Sequence, residues 1–117
     1  MDNQNAAKRS FSLTSEMQDG KLILFPSGWL TAKVTEQFKE NVKALLTPGG
    51  HVIVDMTGVT HVDSSGVGSI VSIHTSSKTV GCKFQICNLM GPVKRIFGLT
   101  RLLETFESSG VYLTKMP

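Results

Sequence analysis

Val52-Ile53-Val54-Asp55-Met56-Thr57-Gly58-Val59-Thr60-His61-Val62-Asp63-Ser64-Ser65-Gly66-Val67-Gly68 holds the transition on which the reading of the chain turns. Val52 to Met56 is a short apolar, β-branched run of the kind found in a strand covered on both faces. Thr57 to Val62 reads as a connection leading into Asp63-Ser64-Ser65-Gly66. Beyond it Val67, Ile70, Val71 and His74 recur at helical spacing. Lys78 to Gly81 closes that helix, with Gly81 as its C-cap.

Upstream, Phe11 to Met17 alternates apolar and polar residues as a half-buried strand does, and Gln18-Asp19-Gly20-Lys21 supplies a hairpin turn before Leu22-Ile23-Leu24-Phe25. Pro26-Ser27-Gly28 ends the hairpin. From Thr31, an N-cap type, the period changes: Val34, Phe38, Val42 and Leu45 form an apolar stripe, with Glu36/Lys39 and Glu40/Lys43 paired on the exposed face. Thr47-Pro48-Gly49-Gly50 stops that helix. Downstream, Lys83 to Cys87 reads as a second buried strand, and Gly91-Pro92 opens a short helix through Phe97, with proline in the first turn. Leu99 to Phe106 adds a further helical turn or two, and Val111-Tyr112-Leu113 a last strand. The order predicts an α/β fold: a mixed sheet that opens with an antiparallel hairpin, followed by βα units with right-handed crossovers and helices packed on the sheet.

The chain has 117 residues and a mass of 12.7 kDa. A folded chain of that mass exposes about 6,200 Å² against about 18,000 Å² when extended, which suits one domain. We expect residues 1–10 to be a mobile tail and residues 11–117 to be that domain. Twelve Lys and Arg oppose nine Asp and Glu, but the basic residues are scattered, which argues against a nucleic-acid groove. No apolar run reaches the roughly 18 residues of a membrane span. The N-terminus lacks the apolar core of a secretory signal. Cys82 and Cys87, five apart in a strand-like segment, fall on opposite faces and about 17 Å apart, beyond disulfide reach. A reducing compartment follows as the simpler expectation.

Ser64 to Ser77 spans 14 residues without a charge and includes six Ser and two Gly. Its intrinsic helix propensity is poor, so it must be held by packing. Two roles are compatible: close approach to the sheet, and a smooth docking surface at the helix start. Asp63 or Ser64 can cap the helix. An exposed Ser there can also be modified, since phosphorylation adds a charge of about −1.5 to −2 and helix N–H groups tolerate anions.

The Val52–Gly68 stretch resembles the signature of the STAS domain, the family of bacterial anti-sigma factor antagonists. Gly81-Cys82-Lys83-Phe84 through Pro92-Val93-Lys94-Arg95-Ile96-Phe97 to Leu99-Thr100-Arg101-Leu102 is similar to the second half of the same domain. The resemblance implies that Ser64 is phosphorylated by an anti-sigma factor that is itself a serine kinase. Asp63, Ser65, Gly66 and Val67 would complete the partner-binding surface. It further implies an unphosphorylated form that binds the anti-sigma factor and frees the sigma factor, a metal-dependent phosphatase that resets it, and a cytoplasmic setting. No enzyme activity, cofactor, metal, nucleic acid or membrane is implied for the chain itself, which is expected to be a monomer or weak homodimer. The alternative within the same fold is an accessory subunit on the ATPase of an ABC-type transport system.

One stretch departs from the family pattern: where many members carry Gly-acidic-apolar-Asp, this chain has Gly28-Trp29-Leu30-Thr31. Trp29 either caps the core or anchors an interface. His51, His61 and His74 lack metal-ligand spacing, and His74 falls on the apolar stripe. Gly66-Val67-Gly68 lacks the third glycine of a dinucleotide loop, and Ser64 lacks a nucleophile elbow. Lys94 and Arg95 read as a solvated face beside a helix start.

Overall fold

The computed structural model describes residues 10–113, so the expected tail lies, apart from Ser10, outside the described residues. The chain runs through β1 (Ser12–Gln18), β2 (Lys21–Leu30), α1 (Ala32–Lys43), β3 (His51–Asp55), β4 (Gly58–Val62), α2 (Ser64–Val80), β5 (Lys83–Cys87), α3 (Gly91–Leu99), α4 (Leu102–Ser108) and β6 (Tyr112–Leu113). One mixed sheet has the order β1-β2-β3-β5-β6, with β4 also beside β2. The β1–β2 pair is antiparallel and every other pairing is parallel.

The hairpin forms at the turn that Asp-Gly predicts. Asp19 (φ 51°) and Gly20 (φ 78°) both take left-handed backbone, the conformation of a two-residue turn whose twist matches the strands, and Gln18 pairs with Lys21. Downstream of the turn, β2 is long enough to take two partners on one side. Leu22–Leu24 pair with Val52–Val54 of β3, and Ser27–Leu30 pair with β4.

Strand β4 corrects the sequence reading, which left Thr57 to Val62 as a connection. The register steps from Gly28↔Val59 to Trp29↔His61, so Thr60 is an extra residue, a β-bulge. The bulge lets Val59 and Val62, three apart, both face the helices while His61 faces away. That spacing breaks the two-residue alternation by which a strand is recognised.

All four helices feed one apolar cluster with Leu24, Leu30, Val52, Val54, Met56, Val59, Phe84 and Ile86 of the sheet side; Phe38, Val42, Ile70, Ile73, Val93, Phe97 and Phe106 are among the helical members. On the other sheet face Ile23, Ile53 and Cys87 form a smaller cluster with Phe25 and Leu113 against it. Strand β3 is thus covered on both sides, as its unbroken apolar run predicts. Cys82 joins the first cluster and Cys87 the second, and neither is in a disulfide. Burial, with Asp55 nearby, pushes the Cys87 thiol up to about 11, which leaves it protonated and unreactive.

Several helix ends differ in detail from the sequence reading. Helix α1 stops at Lys43, so Leu45 falls beyond it and is exposed while Leu46 turns inward. Glu36 and Lys39 close at 2.9 Å, whereas no such ion pair joins Glu40 to Lys43. Helix α2 ends as expected at Gly81, φ 83°, whose N–H reaches the Ser77 carbonyl at 2.9 Å. His74 packs edge-on against Phe106 at 5.6 Å. The helical run after Gly91 breaks at Arg101, φ 62°, and restarts at Leu102. Replacing a fully buried side chain of the main cluster, as in Phe38→Ala or Ile70→Ala, is expected to lower unfolding free energy by about 2–5 kcal/mol. Leu45→Ala should stay within about 0.5 kcal/mol of wild type; urea titration of the three variants checks both.

A candidate docking surface at the start of helix α2

Asp63 leaves strand β4 in extended conformation and turns its carboxylate back over two helix starts. Its Oδ1 accepts from the Gly66 N–H at 2.9 Å and from the Ser65 hydroxyl at 2.6 Å. Its Oδ2 accepts from the Ala32 N–H at 3.1 Å, which is the first N–H of α1. A helix N-terminus presents unpaired N–H groups and partial positive charge, so one carboxylate between two such ends partners an N–H at each. Thr31 occupies the N-cap position of α1 but makes no side-chain cap bond, a correction to its expected role. The Ser65 hydroxyl first, then the Gly66 and Ala32 N–H groups, hold the Asp63 carboxyl below its ordinary pKa against a smaller opposing effect of burial.

This arrangement distinguishes the two adjacent serines. The Ser65 hydroxyl is committed to Asp63. Ser64, the first residue of α2, is exposed, and among the described residues its hydroxyl has no hydrogen-bond partner. Gly66 is buried, and a Cβ there would lie 2.4 Å from the Leu30 carbonyl oxygen and 2.9 Å from Val62 Cγ1. It is therefore the contact that lets α2 approach the end of β2 closely. Val67 is only 5% exposed and belongs to the core. Trp29 is half-buried and stacks on His61, ring centroids 4.1 Å apart, on the sheet face opposite Leu30.

Beside Ser64 lies a shallow hollow of about 290 Å³, lined by Asp63, Ser64 and Val67 of the α2 start and by Ile96, Leu99 and Thr100. A second, of about 280 Å³, shares Ile96 and adds Thr60, His61, Pro92 and Arg95. Leu99 is 76% exposed, an unusual state for leucine. Sequence reasoning missed Ile96 and Leu99 as surface groups. A signal was present, since Leu99 lies about 200° around the helix from Phe97 and cannot share its buried stripe.

The uncharged body of α2 meets its polar needs internally. Ser69 donates to the Gly66 carbonyl and Ser77 to the His74 carbonyl, both at 2.6 Å, and Thr75 donates to the Val71 carbonyl at 3.1 Å. Ser69 and Ser77 thus settle their hydroxyls on the buried side of the helix, and Thr75 does so on its exposed side. Stabilisation from ionised Asp63 is in place above the ordinary carboxylate pKa and is lost as pH falls through its lowered folded value. Asp63→Ala is expected to cost about 1–2 kcal/mol at neutral pH, and the gap to wild type should narrow in acid, as urea unfolding at both conditions records. Gly66→Ala should destabilise more than Gly68→Ala, because a Cβ at Gly68 meets nothing within 4 Å.

Comparison with known proteins places these features. The STAS domain family matches residues 12–115. An anti-sigma factor antagonist from Mycobacterium paratuberculosis superposes with a TM-score of 0.70 at 21% identity, covering 83% of each chain. A candidate anti-sigma factor antagonist from Thermotoga maritima gives 0.70 at 26% identity, covering 79% of this chain and 80% of that one. The murine anion transporter Solute Carrier 26 family member A9 gives 0.71 at 17% identity, covering 92% of this chain and 21% of the transporter. A mixed sheet with all four helices in one core and a match over nearly the whole described chain lead to one conclusion: this chain belongs to the STAS domain family.

Proposed function

We propose that this chain is an anti-sigma factor antagonist, switched by phosphorylation of Ser64. The observation that carries the reading is the free, exposed Ser64 hydroxyl at a helix start, set against an apolar hollow with Leu99 at its rim. In the unphosphorylated state a partner covers Ser64 and buries Leu99 and Ile96. Trp29 joins the rim through its stack on His61, which lines the neighbouring hollow. The partner is an anti-sigma factor with serine kinase activity, and binding it releases the sigma factor. No chemistry by this chain is required beyond offering a nucleophilic oxygen.

In the switching step the kinase moves the γ-phosphoryl group of ATP to Ser64 Oγ, the hydroxyl proton leaves, and ADP departs. The product carries a charge of about −2 at the centre of the covered surface. A doubly negative group about 6 Å from a partner carboxylate costs roughly 1.4 kcal/mol in water-like dielectric, and more where water is excluded. Asp63 already takes the Gly66 N–H, so the phosphate is directed outwards toward the partner. A phosphatase restores the hydroxyl by hydrolysis. The second reading within the same fold is an accessory subunit on an ABC-type ATPase that uses the same face without a phosphate cycle; the likeness to part of an anion transporter is one of fold alone.

Incubation with the cognate kinase, ATP and magnesium is expected to add one phosphate per chain, and Ser64→Ala to abolish it. Undiminished incorporation by that variant would place the acceptor elsewhere. Calorimetry should show Ser64→Asp weakening the anti-sigma complex by about tenfold or more, and Leu99→Ala weakening it by about 1–2 kcal/mol with stability unchanged. Co-purification with a transport ATPase and no phosphate uptake would favour the second reading.

A further inference from the structure

Among the described residues strand β1 ends the sheet with its outer edge unpaired, and Glu16 is its one charged side chain. Its sequence, Ser12-Leu13-Thr14-Ser15-Glu16-Met17-Gln18, holds no lysine and no proline, and its seven-residue register on β2 runs without a bulge. An edge of this length and regularity is a template for strand addition. The two-residue turn makes Gln18↔Lys21 a hydrogen-bonded pair. By alternation Ser12, Thr14 and Glu16 also bond to β2, while Leu13, Ser15 and Met17 turn their N–H and C=O groups outwards. Among the described residues nothing takes up those outward groups.

We infer that this edge pairs with the same edge of a second copy, antiparallel about a two-fold axis through Ser15. Ser15 is the centre of the outward set, so the axis sets Ser15 opposite Ser15 and Leu13 opposite the partner's Met17. All three outward residues then exchange bonds, about six across the interface. The side-chain pairing is complementary as well. On the helix face Met17, 65% exposed, comes to rest beside half-buried Leu13 of the other copy. Leu13 lines a cavity of about 300 Å³ with Phe11, Val34 and Phe38, which offers a flexible methionine room to settle. On the opposite face Glu16 meets Thr14, so no like charges stand opposed. A register slipped by one residue would present inward-bonding groups and lose the ladder.

Sedimentation velocity on the full chain over a concentration series tests the pairing. The expected result is a dimer fraction that rises with concentration. In Ser15→Lys two ammonium groups would face each other on the axis, and association should weaken by about tenfold or more. Because Ser15 is exposed and its backbone does not bond to β2, the variant should keep the wild-type melting curve. Opposed residues of a hydrogen-bonded pair lie about 5.5 Å apart at Cα, within disulfide range. Ser15→Cys should therefore cross-link rapidly on mild oxidation and Thr14→Cys slowly, with buried Cys82 and Cys87 not competing. A chain that stays monomeric throughout, a dimer that Ser15→Lys leaves intact, or equal cross-linking at positions 14 and 15 would each overturn the inference.

Discussion

A single carboxylate ties together the starts of two helices in this domain. Asp63 accepts from the first turn of α2 through Gly66 and Ser65 and from the first residue of α1 through Ala32. The two helices are far apart in sequence, and each would otherwise begin with N–H groups lacking partners. With the carboxylate between them, their starts are held in one frame, and the exposed serine next to Asp63 inherits that rigidity. The arrangement also separates the two exposed hydroxyls: Ser65 donates to the carboxylate, and Ser64 has no hydrogen-bond partner among the described residues.

Placing that carboxylate depends on strand geometry. The extra residue Thr60 in β4 keeps both Val59 and Val62 on the helix side, and the chain enters Asp63 directly after Val62. Gly66 then permits α2 to approach the Leu30 carbonyl more closely than any side chain would allow. The long strand β2 supports both features, since its first half holds β3 and its second half β4. Bulge, carboxylate and glycine form one mechanical unit at the carboxyl end of β2.

For the docking surface proposed around Ser64, rigidity of this kind has a physical advantage. A preorganised site loses little conformational entropy when covered, so modest apolar contacts suffice for binding. Around Ser64 those contacts come from α3 rather than from α2 itself. Ile96 and Leu99 supply the apolar rim, while α2 from Ser64 to Ser77 carries no charge.

What was legible in the sequence rested on local rules. Asp19-Gly20 specified the hairpin, Val52 to Val54 a strand buried on both faces, Gly81 a left-handed helix stop, and Asp63 or Ser64 a helix cap. Local chemistry decides each of these, so neighbouring residues suffice to read them. Ser64 was singled out by the resemblance of the Val52–Gly68 stretch to a family signature rather than by local chemistry. Other features were settled only by tertiary structure, because they join residues distant in the chain. Strand β4 stayed hidden because its bulge suits two apolar positions to a core formed elsewhere and breaks the strand period. The second helix that Asp63 caps, 31 residues away, could not be read from Thr31, and Leu99 came to lie beside Ser64 only when α3 folded against the start of α2. Short-range backbone preference is written along the chain, whereas the direction a side chain faces depends on what the rest of the fold brings against it.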